Sequence, residues 1–145
     1  MNKLLHICVL LSLLLMGCNQ KNSQNYHIQS EQMKKIEGMI NAINEKNAER
    51  YAQYFADDVR VFMKSEVRVK GKKELIKNRA QHFKNYPNVR SEIQYLTEIE
   101  NRVIMHDKVW LTESDEVGKS IVEVFTFKKG KIVKVDVFQP TDLFE

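Results

Sequence analysis

The sequence predicts an α+β domain whose helices are segregated to one side of a curved sheet. Three observations carry this. Amphipathic segments of helical period fill much of the first half, and after Pro87 a two-residue period takes over. The last third, Ile121 to Phe138, reads as a tight antiparallel hairpin. A length of 145 residues allows one domain.

Taken in order, Ser30 is the N-cap of a first helix from Glu31 to about Glu45, with Met33, Ile36, Met39, Ile40 and Ile43 on its apolar face. Asn47 caps a short second helix, Ala48 to Ala56, with Tyr51, Tyr54 and Phe55 as its aromatic side, and Asp57-Asp58 stops it. Val59, Val61 and Met63 alternate with Arg60, Phe62 and Lys64 as a first strand. Glu66 to Lys70 is a second extended piece, broken at Gly71. Lys72 to Lys84 is a third helix, its inner side marked by Leu75, Ile76, Arg79, His82 and Phe83, and Tyr86-Pro87 ends it.

Ser91 to Ile99 alternates as a strand, and Arg102 to His106 extends it or continues it past a bulge. His106-Asp107 reads as a tight turn, from which Lys108 to Glu116 returns with Val109, Leu111 and Glu113 on one face. Val117-Gly118 then turns into the final hairpin. There Ile121, Glu123, Phe125 and Phe127 share a face, and Val133, Val135 and Val137 oppose Ile132, Lys134, Asp136 and Phe138 around Lys128-Lys129-Gly130-Lys131. Both faces of the first hairpin strand are largely apolar, which places it centrally in the sheet.

The net charge of +4 is spread among 19 acids with no basic stripe, which argues against nucleic acid as a partner. Both cysteines, Cys8 and Cys18, lie ahead of the folded domain, which excludes a disulfide, a thiolate metal site and a cysteine nucleophile within it. No His/Asp/Glu spacing suggests a metal, no glycine-rich phosphate loop or nucleophile elbow is present, and no cofactor is expected.

The N-terminus carries an address. Lys3 precedes an apolar stretch, Leu4 to Met16, too short to span a bilayer as a final anchor. It ends in Leu15-Met16-Gly17-Cys18, which resembles the bacterial lipoprotein signal, although Met16 stands where a small residue is usual. The resemblance implies cleavage of a signal peptide, 1–17, and lipid on the Cys18 thiol. It places the protein in the bacterial cell envelope, at the outer membrane where the cell has two, since Asn19 and not an Asp follows the cysteine. Polar, Asn/Gln-rich residues through 29 read as a flexible tether, 18–29. The domain then occupies 30–140, with a short tail at 141–145.

The order of elements and several strings resemble the nuclear transport factor 2-like superfamily, and within it the SnoaL-like proteins, which include ketosteroid isomerase and polyketide cyclases. The strings are Ala42-Ile43-Asn44-Glu45-Lys46-Asn47, Tyr54-Phe55-Ala56-Asp57-Asp58-Val59, Gly71-Lys72-Lys73-Glu74-Leu75, Asn101-Arg102-Val103, Val109 through Glu113, and Phe125 through Val133. The resemblance implies a cone: a curved antiparallel or mixed sheet wrapped around about three helices, with a cavity open at one end and an outer face that often forms a homodimer. Carried over through these strings, the isomerase base falls on Met63, its tyrosine on Met39 and its second oxyanion donor on Glu123. A methionine takes no proton, so steroid isomerisation by that route is not expected.

Glu123, Glu113, Asp136 and His82 are the candidate acid/base groups. Glu123 sits on an apolar stripe, where burial would raise its pKa. Glu113 ends a similar stripe. Asp136 alternates with Lys134, which makes a structural ion pair its plain account. His82 follows Arg79 by three residues, so both can face one opening. Tyr54, Met63, Arg79, Phe83, Trp110 and Phe125 are the candidate ligand contacts, against a default of core packing for the aromatic residues.

Two functions compete. One is a membrane-anchored, non-catalytic module that takes a small amphipathic ligand, or a protein partner, through its cavity or sheet. The other is a SnoaL-like enzyme, an isomerase, cyclase, dehydratase or hydrolase, using pocket carboxylates. Convergence of two of Glu123, Glu113 and Asp136 with His82 in one cavity would favour the enzyme; a salt-bridged Glu123 with no space beside it would favour the binder. The anchor is tested by Cys18→Ala: the variant is expected in the soluble fraction, and its persistence in membranes would sink the lipid assignment.

Overall fold

The computed structural model describes residues 29–139. The expected signal peptide, the tether up to residue 28 with Cys18, and the tail lie outside the described residues. Three helices, α1 (Glu31–Asn44), α2 (Ala48–Ala52) and α3 (Lys72–Asn85), accompany six strands. These are β1 (Phe55–Met63), β2 (Glu66–Lys70), β3 (Arg90–Ile99), β4 (Arg102–Trp110), β5 (Lys119–Lys128) and β6 (Lys131–Phe138). The strands form one curved, open sheet in the order β2-β1-β6-β5-β4-β3. All neighbours are antiparallel except β1 and β6, which run parallel, so the sheet is mixed. None of the described helices is long and apolar enough to cross a membrane.

Local chemistry fixes the ends of the elements. The Ser30 hydroxyl accepts from the Met33 amide at 3.1 Å, and Asn47 Oδ1 accepts from the Arg50 amide at 2.9 Å, each satisfying an otherwise unpaired N–H of the first turn. The β5–β6 hairpin closes through Lys129 and Gly130, both at positive φ, 51° and 73°. Such a two-residue turn matches the right-handed twist of the strands it joins. Lys64 and Ser65, at 51° and 65°, do the same between β1 and β2.

Alternation in the strands places one apolar set on the concave side. Phe55, Val59, Val103, Met105, Phe125, Ile132 and Val135 from the sheet meet Ile36, Met39 and Ile40 of α1 in a single core. Phe125, completely buried on the central strand β5, is one of its largest members. The expected hairpin and its central position are both observed.

Three boundaries differ from expectation. The second helix stops at Ala52 and not Ala56, because strand pairing captures the residues after it. Phe55 pairs with Ile132 of β6, and the Tyr54 carbonyl accepts from the Ile132 amide at 3.0 Å. The turn after β3 lies at Glu100-Asn101, with Glu100 at φ 56°, and not at His106-Asp107. The Asn101 carbonyl accepts from the Phe127 amide at 2.8 Å, which ties that turn to β5. The strand expected over Lys108 to Glu116 ends at Trp110. Beyond it, Asp115 Oδ2 accepts from the Leu111 and Thr112 amides at 2.7 and 3.1 Å and folds the chain into a loop.

Helix α1 is tied to the sheet at its C-terminal end. Asn44 Nδ2 donates to the Ser91 carbonyl at 2.9 Å, and Asn44 Oδ1 accepts from the Ser91 amide at 2.8 Å. This two-point clasp satisfies the outer backbone groups of β3, an edge strand. Asn44→Ala is expected to lower stability by about 1–2 kcal/mol, the net worth of two such bonds. Denaturant unfolding checks this, and a midpoint unchanged from the parent would show that water replaces the clasp without cost.

Candidate functional site

A cavity of about 280 Å³ opens between the concave face of the sheet and α3. Its walls are mainly aliphatic, with Val61 and Met63 of β1, Leu75 of α3, Ile121 of β5 and Val137 of β6 among them. Its polar lining consists of Tyr51, Asn78, Arg79, His82, Ser91, Asp107 and Glu123, with Arg68 and Gln139 besides. An apolar pocket with a small number of placed polar groups is the common form of a small-molecule site.

Strand register brings two carboxyl groups together. Asp107 stands opposite Ile121, and Met105 stands opposite Glu123, so Asp107 and Glu123 are diagonal neighbours on β4 and β5. Diagonal side chains on one face are within reach of each other when one of them is long. Asp107 is only 3% exposed, and its Oδ2 accepts from the Ser91 hydroxyl at 2.5 Å. Its Oδ1 is buried with no hydrogen-bond partner among the described residues. Glu123 is half-buried because the cavity itself leaves part of it open.

These surroundings raise the pKa of both acids. Burial, then the neighbouring Asp107 charge, pushes the Glu123 carboxyl up to about 8, against a smaller downward pull from Arg79. Burial also raises Asp107, partly offset by the Ser91 hydrogen bond. Helix α3 supplies the opposite sign. Arg79 donates to the Tyr51 hydroxyl at 3.0 Å, with its guanidinium carbon 4.3 Å from the centre of the Tyr51 ring. Burial and the Arg79 charge pull His82 down to about 4, so its imidazole is neutral at pH 7. Burial raises the Tyr51 phenol, which keeps its proton.

The expected site residues divide. Glu123, His82, Arg79 and Met63 line the cavity. Glu113 does not: it lies exposed on the loop after β4, because the strand that was to aim it inward ends at Trp110. Asp136 pairs with Lys134 at 2.8 Å, opposite Val124, on the outer side of the sheet. Phe125 and Phe83 are spent on the core. Tyr54 packs over Gly38, where an added Cβ would lie 2.2 Å from its hydroxyl. Trp110 packs against Gly118 and lies under the Arg90 guanidinium, whose carbon is 3.6 Å from its ring centre. Met39, where the resemblance implies the isomerase tyrosine would fall, is completely buried in the core.

Asp107, Ser91 and Asn78 were not anticipated, and Asp107 matters most. An Asp next to His after a short alternating run reads as a turn. The signal for the alternative was the alternation itself, since Val103, Met105, Asp107 and Val109 keep one phase through the whole of β4. Among the described residues no group of three His, Cys, Asp or Glu side chains is placed to hold a metal ion.

The sequence model of the SnoaL-like domain matches residues 36–135, well over half the chain. Comparison with curated protein sequences finds no match. Solved structures similar to this one include an uncharacterized cystatin-fold protein from Novosphingobium aromaticivorans, at 22% identity and a TM-score of 0.66, covering 76% of this chain and 98% of that one. A SnoaL-like protein of unknown function from Burkholderia thailandensis is 16% identical with a TM-score of 0.68, over 77% and 96% of the two chains. A candidate polyketide cyclase from Sinorhizobium meliloti is 15% identical with a TM-score of 0.62, over 72% and 94%. Identities this low carry the fold and leave the chemistry to the residues of the site.

The site makes stability depend on pH in a defined direction. In the folded chain Glu123 keeps its proton up to about 8, whereas an unfolded chain loses it near 4.5. The native state therefore holds more protons in between, and stability falls as pH rises through that window. Asp107, also raised, acts with the same sign. His82 acts oppositely, between about 4 and its ordinary 6.5. Between pH 6.5 and 8 the parent protein is thus expected to lose stability while Glu123→Gln shows a flatter profile. Parallel profiles in urea unfolding would show that Glu123 titrates as an ordinary carboxylate.

Proposed function

The chain belongs to the SnoaL-like domain family, and on that footing we propose that it is an envelope lipoprotein whose cavity binds a small amphipathic molecule without transforming it. The carrying observation is a cavity of about 280 Å³ with largely apolar walls, into which the half-buried Glu123 opens beside the buried Asp107. An apolar ligand body fits the walls, and its polar end meets Glu123, Arg79 and their neighbours. Met63 lines this cavity at the position that the family resemblance gives to the isomerase base, which supports binding over proton abstraction. The anchor on Cys18 would hold the domain at the membrane, where amphipathic molecules concentrate. A second copy of the chain is the proposed partner for the outer sheet face, where the paired residues Val122 and Phe138 are both exposed.

A second reading, an acid/base enzyme, is favoured by one specific observation. Asp107 supplies beside Glu123 and His82 the second cavity acid that Glu113 and Asp136 do not. Two carboxyl groups in unlike surroundings are a recurrent acid/base set.

Native mass spectrometry of the protein purified from its own host tests both readings. The expected result is a dimer that releases a small molecule, with Val137→Trp, which fills the cavity, arriving empty. Equal release from the filled variant would place the ligand elsewhere, and an empty parent protein would remove the support for a binding role. The released molecule, incubated with fresh protein, should return with its mass and retention unchanged; conversion would favour the enzyme.

A further inference from the structure

The arrangement of Ser91, Asp107 and Glu123 leaves one hydrogen-bonding problem open. Asp107 is almost completely buried, and its two oxygens are unequal. Oδ2 is taken by the Ser91 hydroxyl at 2.5 Å, and Ser91 is itself fixed by the two-point clasp from Asn44. Oδ1 is closed to solvent and meets no donor among the described residues. A buried carboxylate oxygen left unpaired is costly, and native structures leave few such groups unexplained. Arg79 donates through one nitrogen to the Tyr51 hydroxyl at 3.0 Å and makes no hydrogen bond to Oδ1. The neighbouring side chain on the same face that can carry a donor is Glu123, one diagonal step away on β5.

Resting on the small-molecule reading above, we propose that Asp107 Oδ1 accepts the Glu123 carboxyl proton as a hydrogen bond, that Glu123 thereby turns its other oxygen to the cavity as an acceptor, and that the cavity selects apolar molecules bearing a neutral hydroxyl. A protonated carboxyl has one donor and one strong acceptor, so using the donor inward fixes what faces outward. The hydroxyl of the ligand donates to that outward oxygen. A ketone of the same shape has only an acceptor to offer and meets an acceptor. Ser91 is the positioning residue, because its hydroxyl occupies Oδ2 and leaves Oδ1 as the position open to Glu123.

Isothermal titration of the purified full chain with three matched rings, cyclohexanol, cyclohexanone and methylcyclohexane, tests this. The parent protein is expected to bind cyclohexanol about tenfold more tightly than cyclohexanone, the scale of one hydrogen bond made against one left unmade. Asp107→Asn should erase or reverse this preference while methylcyclohexane binds as before, which also shows that the cavity is intact. Ser91→Ala should weaken the preference in the same direction, and it serves where the Asp107 variant does not fold. Equal affinity of the parent for alcohol and ketone would overturn the inference while leaving the cavity a small-molecule site. A preference that both variants leave unchanged would overturn it as well. Failure of all three rings to bind the parent would overturn the binding reading itself, and this inference with it.

Discussion

The register of β5 is the constraint on which the rest depends. Side chains along a strand alternate between faces, so a slip by one residue exchanges the two sets. In β5 the observed register sends Ile121, Phe125 and Phe127 into the core and leaves Val122 exposed outside. Two devices hold it. The turn at Lys129-Gly130 fixes β5 against β6, and the Asn101–Phe127 backbone bond fixes it near the turn from β3 to β4. A slip would bury Thr126 and expose Phe125, a residue whose burial is worth several kcal/mol. The same register carries Glu123 inward. Its position in the cavity is a consequence of where Phe125 must go.

That inward acid is a cost the fold does not need. An isoleucine at position 123 would continue the stripe of its neighbours and would avoid desolvating a carboxyl group. Asp107 repeats the choice on β4, between Met105 and Val109, and Ser91 on β3 answers it with a hydroxyl. Three adjacent strands thus place polar groups at one level of an otherwise aliphatic wall. Local departures from the best packing choice concentrate at functional sites, and here the departures share one cavity. Asp136 marks the contrast. It lies on the outer side with Lys134, where a charged pair is ordinary and carries little energy.

Much of the architecture was legible in the sequence because it is written in local chemistry. Ser30 and Asn47 cap the helices they were expected to cap, and the Lys-Gly turn closes the hairpin it was expected to close. The features that were not legible depended on partners distant in the chain. Tyr54 and Phe55 have helical spacing, and only β6, nearly eighty residues later, turns them into a strand entry. Asp107 has the propensity of a turn residue, and only Ser91 across the ladder makes it a tolerable strand residue. Glu113 was placed by extrapolating an alternation past Trp110, where Asp115 draws the backbone into a loop. For the site, Glu123, Arg79 and His82 followed from face and spacing, and Met63 from the family resemblance. The aromatic candidates did not reach the cavity, because in a domain this size Phe125 and Phe83 are needed by the core.

The charge state of the cavity bears on what it can receive. Arg79 contributes one fixed positive charge, while His82 is neutral at pH 7. Burial and the Asp107 charge raise Glu123 to about 8, so it keeps its proton at pH 7, and burial raises Asp107 as well. With Glu123 protonated, at most one carboxylate charge, that of Asp107, stands against the Arg79 guanidinium in this part of the wall. An anionic ligand would face the remaining carboxylate, and a cationic one would face Arg79; both would also lose hydration against aliphatic walls. A neutral molecule with a single polar end incurs neither penalty. The same balance explains why Arg79 belongs here although it neither hydrogen-bonds nor ion-pairs with either acid. By packing on Tyr51 and donating to its hydroxyl it is held in place, and from there its charge pulls both carboxyl groups down without overcoming the burial that raises them.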